Sequence, residues 1–123
     1  MQEFKLIIAG GRDFTNSTLL HKHVDGLANG DGALAQYAVS IVSGMARGAD
    51  MLGFQFAREH GVKCYQFPAD WNQYGKRAGF IRNKQMGDFA DGLLAFWDGE
   101  SRGTKQMVEY MQSLKKPVHI IRY

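Results

Sequence analysis

Three short stretches place arginine among glycine and small hydroxyl residues: GGRDFTNST from Gly10, SGMARGAD from Ser43 and DGESRGT from Asp98. Arg12, Arg47 and Arg102 can each give a phosphate two parallel N–H donors. Ser43, Ser101 and Thr104 can add hydroxyl donors. Gly10, Gly11, Gly44, Gly48 and Gly103 let a main chain approach a ligand closely. Taken singly, each stretch is as well explained by a tight turn with a Ser or Thr cap on the next helix. Together they favour a phosphate-bearing ligand over three unrelated turns.

A second group needs more care. Arg82 and Asn83 fall inside an otherwise core-like helical pattern, where an unpaired charge is costly. Either the helix faces a ligand there, or Arg82 pairs with an acid such as Asp88 or Asp98. Ligand facing is the preferred reading. Trp71 and Tyr74, in PADWNQYGKRAG, can stack on a base or cover the edge of the core. Lys76 and Arg77 read as solvated. Familiar nucleotide signatures are absent. GGRDFT lacks the third glycine of G-x-G-x-x-G, and the second apolar run ends in Ser43 rather than in an acid for a ribose. No G-x-x-x-x-G-K-S/T occurs. No Cys or His spacing makes a metal site, and His21 and His23, two apart on a helix, do not face each other.

These residues need elements to position them. Five apolar runs read as strands: Lys5–Ala9, Ala38–Val42, Val62–Phe67, Leu93–Trp97 and Val118–Ile121. Several are continuous rather than alternating, which suits a sheet covered on both faces. Four helical patterns lie between them. The first follows TNST, with Leu20, Val24 and Leu27 aligned. The second spans Ala49–His60, with Ala49, Leu52, Phe56 and Ala57 inward and Gly61 as the stop. The third spans Lys76–Phe89, with Ala78, Ile81, Gln85 or Met86, and Phe89 inward. The fourth spans Thr104–Leu114, with Met107, Val108, Met111 and Leu114 inward. The alternation predicts one α/β domain over 1–123: a three-layer, Rossmann-like sandwich around a five-stranded parallel sheet. Strand order 3-2-1-4-5 is expected, with ligands at the carboxyl ends of strands 1 and 4, where the winding reverses. The three Gly- and Arg-containing loops trail strands 1, 2 and 4, so topology and loop chemistry converge.

Bulk properties narrow the field. At 123 residues the chain suits one core, and a net charge of +3 says little about partners. One cysteine, Cys64, allows no internal disulfide and fits a cytoplasmic setting. It reads as a small buried hydrophobe. No apolar run nears the ~20 residues of a membrane span, and MQEFKLIIAGG reads as a first strand rather than a leader.

IAGGRDF, VSGMARGAD, RNKQM and DGESRGT, in that order, resemble the SMF/DprA–LOG, or SLOG, superfamily. SGMARGAD is similar to the signature of its DNA-processing protein A branch. GGRDF, IRNKQM and AFWDGESRGT are similar to the stand-alone YspA-like branch of bacteria and phages. The resemblance implies a Rossmann-like domain that binds a nucleotide or nucleotide-derived small molecule, and a homo-oligomer. No cofactor, metal or membrane partner is expected; the DNA-processing branch suggests nucleic acid, which the small net charge makes a lesser alternative. It places Gly10 to Asp13, Ser43 to Asp50, Arg82, Asn83 and Ser101 to Thr104 around the ligand, with Asp50 beginning a helix. The LOG branch also contains phosphoribohydrolases with the motif Pro-Gly-Gly-x-Gly-Thr-x-x-Glu and an Arg on the preceding helix. Gly103, Thr104 and Arg82 match it, but Met107 stands at the Glu position and GES replaces Pro-Gly-Gly. A Met cannot activate water. Glu109, two residues on, is turned about 200° around a helix. Asp13, Asp98 and Glu100 remain as alternative carboxylates beside Arg82, each with loop capping as its plainer role. The expectation is therefore a ligand-binding protein. An N-glycosidase and a single-stranded DNA module are its rivals.

Overall fold

The computed structural model describes residues 1–123. Strands β1 (Glu3–Gly10), β2 (Ala38–Ser43), β3 (Cys64–Gln66), β4 (Gly92–Trp97) and β5 (Val118–Arg122) form one parallel sheet in the order β3-β2-β1-β4-β5. Helices α1 (Ser17–Ala28) and α2 (Ala49–His60) precede a one-turn helix, α3 (Trp71–Tyr74), and a 3-10 turn over Gly75–Arg77. Helices α4 (Ala78–Phe89) and α5 (Arg102–Ser113) complete the chain. This is the expected Rossmann-like topology.

The continuous apolar strands are explained by two helix layers. Successive strand residues point to opposite faces. Leu6 and Ile8 of β1, with Leu94 and Phe96 of β4, join Leu20, Val24, Phe56 and Ala57 in a core under α1 and α2. Ile7 and Ala9, with Leu93 and Ala95, join Met86, Met107, Val108 and Met111 under α4 and α5. Both faces of β1 and β4 are thus apolar, and neither strand can alternate with polar residues. Cys64 packs against the first core but is only half-buried, on the edge strand, rather than buried as expected; partial burial pushes its thiol pKa up.

Local signals place the helix ends. Asn16 caps α1, its side chain accepting from Leu19 N at 2.9 Å. Gly61 ends α2 in the left-handed conformation at φ 64°. Three expectations need correction. First, β3 is shorter than Val62–Phe67, because this edge strand pairs only with Ile41, Val42 and Ser43. Second, α5 starts at Arg102, two residues early, because Ser101 rather than a later residue is the cap; Leu114 follows its end and is exposed. Third, α4 starts at Ala78 and is rotated. Its buried face carries Ala78, Arg82, Asn83, Met86 and Gly87, while Gln85 is exposed and Ile81 and Phe89 are only half-buried. Gly87 leaves room for the Tyr110 ring of α5, and Arg82 and Asn83 find polar partners, so the polar face turns inward. No helix is long and apolar enough to cross a membrane.

Candidate functional site

The loops after β1, β2 and β4 meet at the carboxyl edge of the sheet, held by their main chains. Gly11 N donates to Phe96 O at 3.1 Å, and Ala49 N donates to Gly11 O at 3.2 Å. The fit is close at Gly48, whose φ is 90°: a Cβ there would collide with Gly11 O and the Arg12 backbone. This has a chemical consequence. The first amide of α2 is occupied by Gly11 O, so it is not free for an anion. At α5, Ser101 Oγ accepts from Thr104 N at 3.4 Å, and Asp98 Oδ1 accepts from Glu100 N and Ser101 N at 2.8 and 2.9 Å. Arg102 and Gly103 begin that helix with amides that meet no protein acceptor.

Between the loops lies a cleft of about 460 Å³. Of the residues expected around a ligand, Gly10, Gly11, Arg12, Asp13, Arg47, Asp50, Arg82, Asn83, Ser101, Gly103 and Thr104 line it, as does Asp98. Gly44 lines an adjoining cleft of about 400 Å³, which shares Arg12, Ala46, Arg47, Trp71 and Arg82 with the first. Ser43, Gly48, Glu100 and Arg102 do not reach the main cleft. The Ser43 hydroxyl is fully buried, donating to Asp50 O at 2.7 Å and accepting from Met45 N at 3.1 Å. It latches the loop. Trp71 and Lys76 line the cleft, whereas Tyr74 and Arg77 do not. Sequence reasoning missed Phe80, a half-exposed aromatic on the first turn of α4. An aromatic two residues ahead of Arg82, turned about 200° around the helix from that buried residue, is the signal that could have found it.

Arg82 lines the cleft and is also tied into the fold. It is buried, with Nε donating to Asn83 Oδ1 at 2.9 Å and Nη1 donating to Gly44 O at 2.5 Å. Nη2 donates to no protein group, yet no buried side-chain nitrogen or oxygen lacks a partner. Nη2 is therefore open to solvent. Neither Asp88 nor Asp98 is its partner: Tyr110 donates to Asp88, and Asp98 holds its own loop. The nearby carboxylate is Asp50. A Cβ on Gly44 would come within 2.6 Å of both Arg82 Nη1 and Asp50 Oδ2, so a side chain there would displace one of the two charged groups that flank the loop.

The three carboxylates of the cleft differ in kind. Asp13 accepts from the Tyr123 hydroxyl at 2.5 Å, and burial together with that bond drives the tyrosine pKa up. Asp98 is held below its ordinary range, chiefly by the Ser101 and Glu100 amides. Asp50 is buried, and desolvation raises it to about 6 against the pull of Arg82, the Ala46 amide and Arg12. Its carboxyl is poised near neutrality.

Residues 4–74 match the family described as YspA, cpYpsA-related SLOG. The chain belongs to this SLOG family. The gene 61 protein of Mycobacterium phage D29 is 34% identical over 120 residues, covering 93% of each chain. DNA processing protein A from Streptococcus pneumoniae superposes with a TM-score of 0.76 at 16% identity, and the chain spans 51% of that protein. DNA processing protein A from Helicobacter pylori, whose structure is described as showing its single-stranded DNA binding mode, gives 0.62 at 18% identity over 66% of its length. The two solved structures share the fold. The family match spans the first two loops, whereas Arg82 and the Asp98–Thr104 loop lie beyond it. In this SLOG chain the fold brings those outlying parts onto the same cleft. Met107, where the LOG motif carries Glu, is buried and lines the cleft floor, while Glu109 is exposed and points away, as its helical offset requires.

Proposed function

We propose that this protein binds a phosphorylated nucleoside, or a nucleotide-derived ligand such as ADP-ribose, in the cleft above β1 and β4. One observation carries the reading. Four cationic side chains, Arg12, Arg47, Lys76 and Arg82, share a cleft with the aromatic surfaces of Trp71 and Phe80. Cations and first-turn amides suit phosphate, and a half-exposed ring suits a base. The volume suits a small molecule rather than a macromolecule. Mass spectrometry of ligand retained by gently purified protein tests this first. Calorimetry with nucleoside phosphates follows. Arg47→Ala and Thr104→Ala should each weaken binding by about 1.5–3 kcal/mol with unchanged melting. Wild-type affinity in both variants removes these loops from the site.

A second reading has its own support. The two clefts adjoin, and Arg12, Arg47 and Arg82 line both. A single strand could run along them, as the neighbour from Helicobacter pylori is described as binding one. Salt separates the two. Single-strand binding should fall steeply with added salt, and a mononucleotide held in the cleft should change much less.

Hydrolysis is not part of the proposal. Met107 supplies no proton and no charge at the sugar, and a positioned acid or base is worth about 10²–10⁴-fold. Nucleoside monophosphates incubated with the protein should release no free base over many turnovers. Turnover lost in Asp50→Asn would establish the glycosidase instead, because Asp50 is the buried carboxylate beside Arg82.

A further inference from the structure

On the opposite face of the sheet from α4 and α5, helices α1 and α2 bring together His21, Glu59 and His60. One ligand atom from each lies within 4.8 Å of the other two. None of the three lines the cleft at the carboxyl edge. His21 Nε2 stands 3.4 Å from Glu59 Oε2. Two ligand atoms bonded at about 2.1 Å to one tetrahedral ion are separated by roughly 3.4 Å. One edge of a coordination polyhedron is therefore already at its closed length.

The histidines are also set in a matching state. His21 Nδ1 lies 2.7 Å from Ser17 O, and His60 Nδ1 lies 3.0 Å from Phe56 O. A carbonyl oxygen only accepts, so each Nδ1 carries the hydrogen, and each neutral ring keeps its lone pair on Nε2. Metal-binding histidines are oriented in this way, the second nitrogen donating to a backbone carbonyl. The rings are further fixed by packing. His60 stacks on Phe56 with centroids 4.2 Å apart, and His21 lies 4.9 Å from Phe56 and 5.3 Å from His60. Buried Phe56 is a rigid wall behind both. A His–Glu ion pair would explain the 3.4 Å contact. It would not explain why a second ring, His60, also brings a ligand atom within 4.8 Å of the other two.

We propose that His21, Glu59 and His60 bind a divalent cation of the zinc class, with water completing the shell. Two imidazoles and one carboxylate select zinc-like ions over magnesium or calcium, which prefer oxygen. The His21 and Glu59 side chains are 31% and 63% exposed, so an ion reaches them from solvent. Spacing along the chain could not show this site, because its ligands come from two helices joined only by the fold. The bound ion would tie α1 to α2 and stabilise the folded chain, since the unfolded chain scatters the ligands.

The test uses untagged protein freed of metal with a chelator. Zinc is titrated calorimetrically, and cobalt is followed by its visible absorption. The expected result is one ion per chain, a cobalt spectrum of the four-coordinate type, and a melting temperature raised by zinc. His21→Ala and His60→Ala should each weaken binding at least about tenfold, the size seen when even an outer-shell partner is lost. His21→Gln and His60→Gln provide the same test should either alanine variant fold poorly. Cys64→Ser and His119→Ala should bind as wild type. The proposal is overturned if wild type takes up no stoichiometric ion. It is equally overturned if uptake survives in the His21→Ala/His60→Ala double variant or disappears in Cys64→Ser or His119→Ala.

Discussion

Helices α2 and α4 have equal length and both reach the cleft, but they are held in place by different physics. The buried face of α2 carries Ala49, Asp50, Gly53, Phe56 and Ala57, mostly apolar and seated on β1, with Gly53 against Ile8. The buried face of α4 carries Ala78, Arg82, Asn83, Met86 and Gly87. Near the cleft its position depends on hydrogen bonds to main chain: Arg82 to Gly44 O, and Asn83 to Gly103 O at 3.2 Å. Apolar burial places a helix without directional demands. Hydrogen bonds place it in register with particular loops. Helix α2 is scaffold that delivers one carboxylate, whereas α4 couples the β2 and β4 loops to each other.

The largest expected effect tests the apolar side of this contrast. Phe56→Ala should cost about 3–5 kcal/mol of stability, as for other large aromatic truncations in cores. Among the molecules that remain folded, nucleotide affinity should be unchanged. Urea melts with calorimetry on the same samples check both halves, and a comparable loss of affinity would show that the scaffold and cleft are not separable. Arg82→Ala should cost less stability, about 3 kcal/mol, because Gly44 O loses its donor and Asp50 its neighbouring cation. It should also lose nucleotide binding. Intact binding after that substitution would make Arg82 a structural residue only.

The same contrast explains what was legible in the sequence. The sheet order and α2 could be read because apolar periodicity, Gly61 and the loop glycines act locally. Helix α4 was misrotated because periodicity reads Ile81 and Phe89 as inward. The decisive partners of Arg82 and Asn83 are instead carbonyls of distant loops, invisible to any local pattern. The cleft was largely legible, since Gly, Arg and Thr at strand ends share one edge of such a sheet. Ser43 was misread because its latch to Asp50 O is a tertiary contact. Asp50 was placed at the site, but its raised carboxyl comes from burial that only the fold creates, against the pull of Arg82, 32 positions away in sequence.

That carboxyl gives a pH test of the junction between the two helices. Its pKa is about 6 in the fold against an ordinary 3.8. A raised native value means that the folded state holds the proton more tightly. The associated stability is fully present below about 4 and is lost as pH rises through about 6, to an extent on the order of 2–3 kcal/mol. Stability of wild type relative to Asp50→Asn should therefore fall between pH 4 and pH 7. Parallel slopes in urea melts across that range would mean that Asp50 is not held protonated by burial. Binding offers a second check. At pH 7.5 the Asp50→Asn variant should bind a nucleoside monophosphate more tightly than wild type, because one negative charge facing the phosphate is gone.

The smallest effect is expected at Asn83, and it decides whether α4 is a coupler or merely a neighbour. Asn83 accepts from Arg82 Nε at 2.9 Å and donates through Nδ2 to Gly103 O and to Gln106 Oε1, the latter at 2.9 Å. Asn83→Ala removes these links but leaves Arg82 Nη1 on Gly44 O. The cost should be about 1–2 kcal/mol, since the orphaned groups near the cleft can recruit water. The coupling is more informative than the single value. If Asn83 acts by holding the Arg82 guanidinium in place, the two substitutions share one network and will not add. The Arg82→Ala/Asn83→Ala double variant should then be more stable than the sum of the single losses implies, by about 1 kcal/mol. Its nucleotide affinity should match that of Arg82→Ala alone. Strict additivity in both measurements would mean that Asn83 serves the Gly103 loop independently of Arg82. The β2 and β4 loops would then be joined through the sheet rather than through α4.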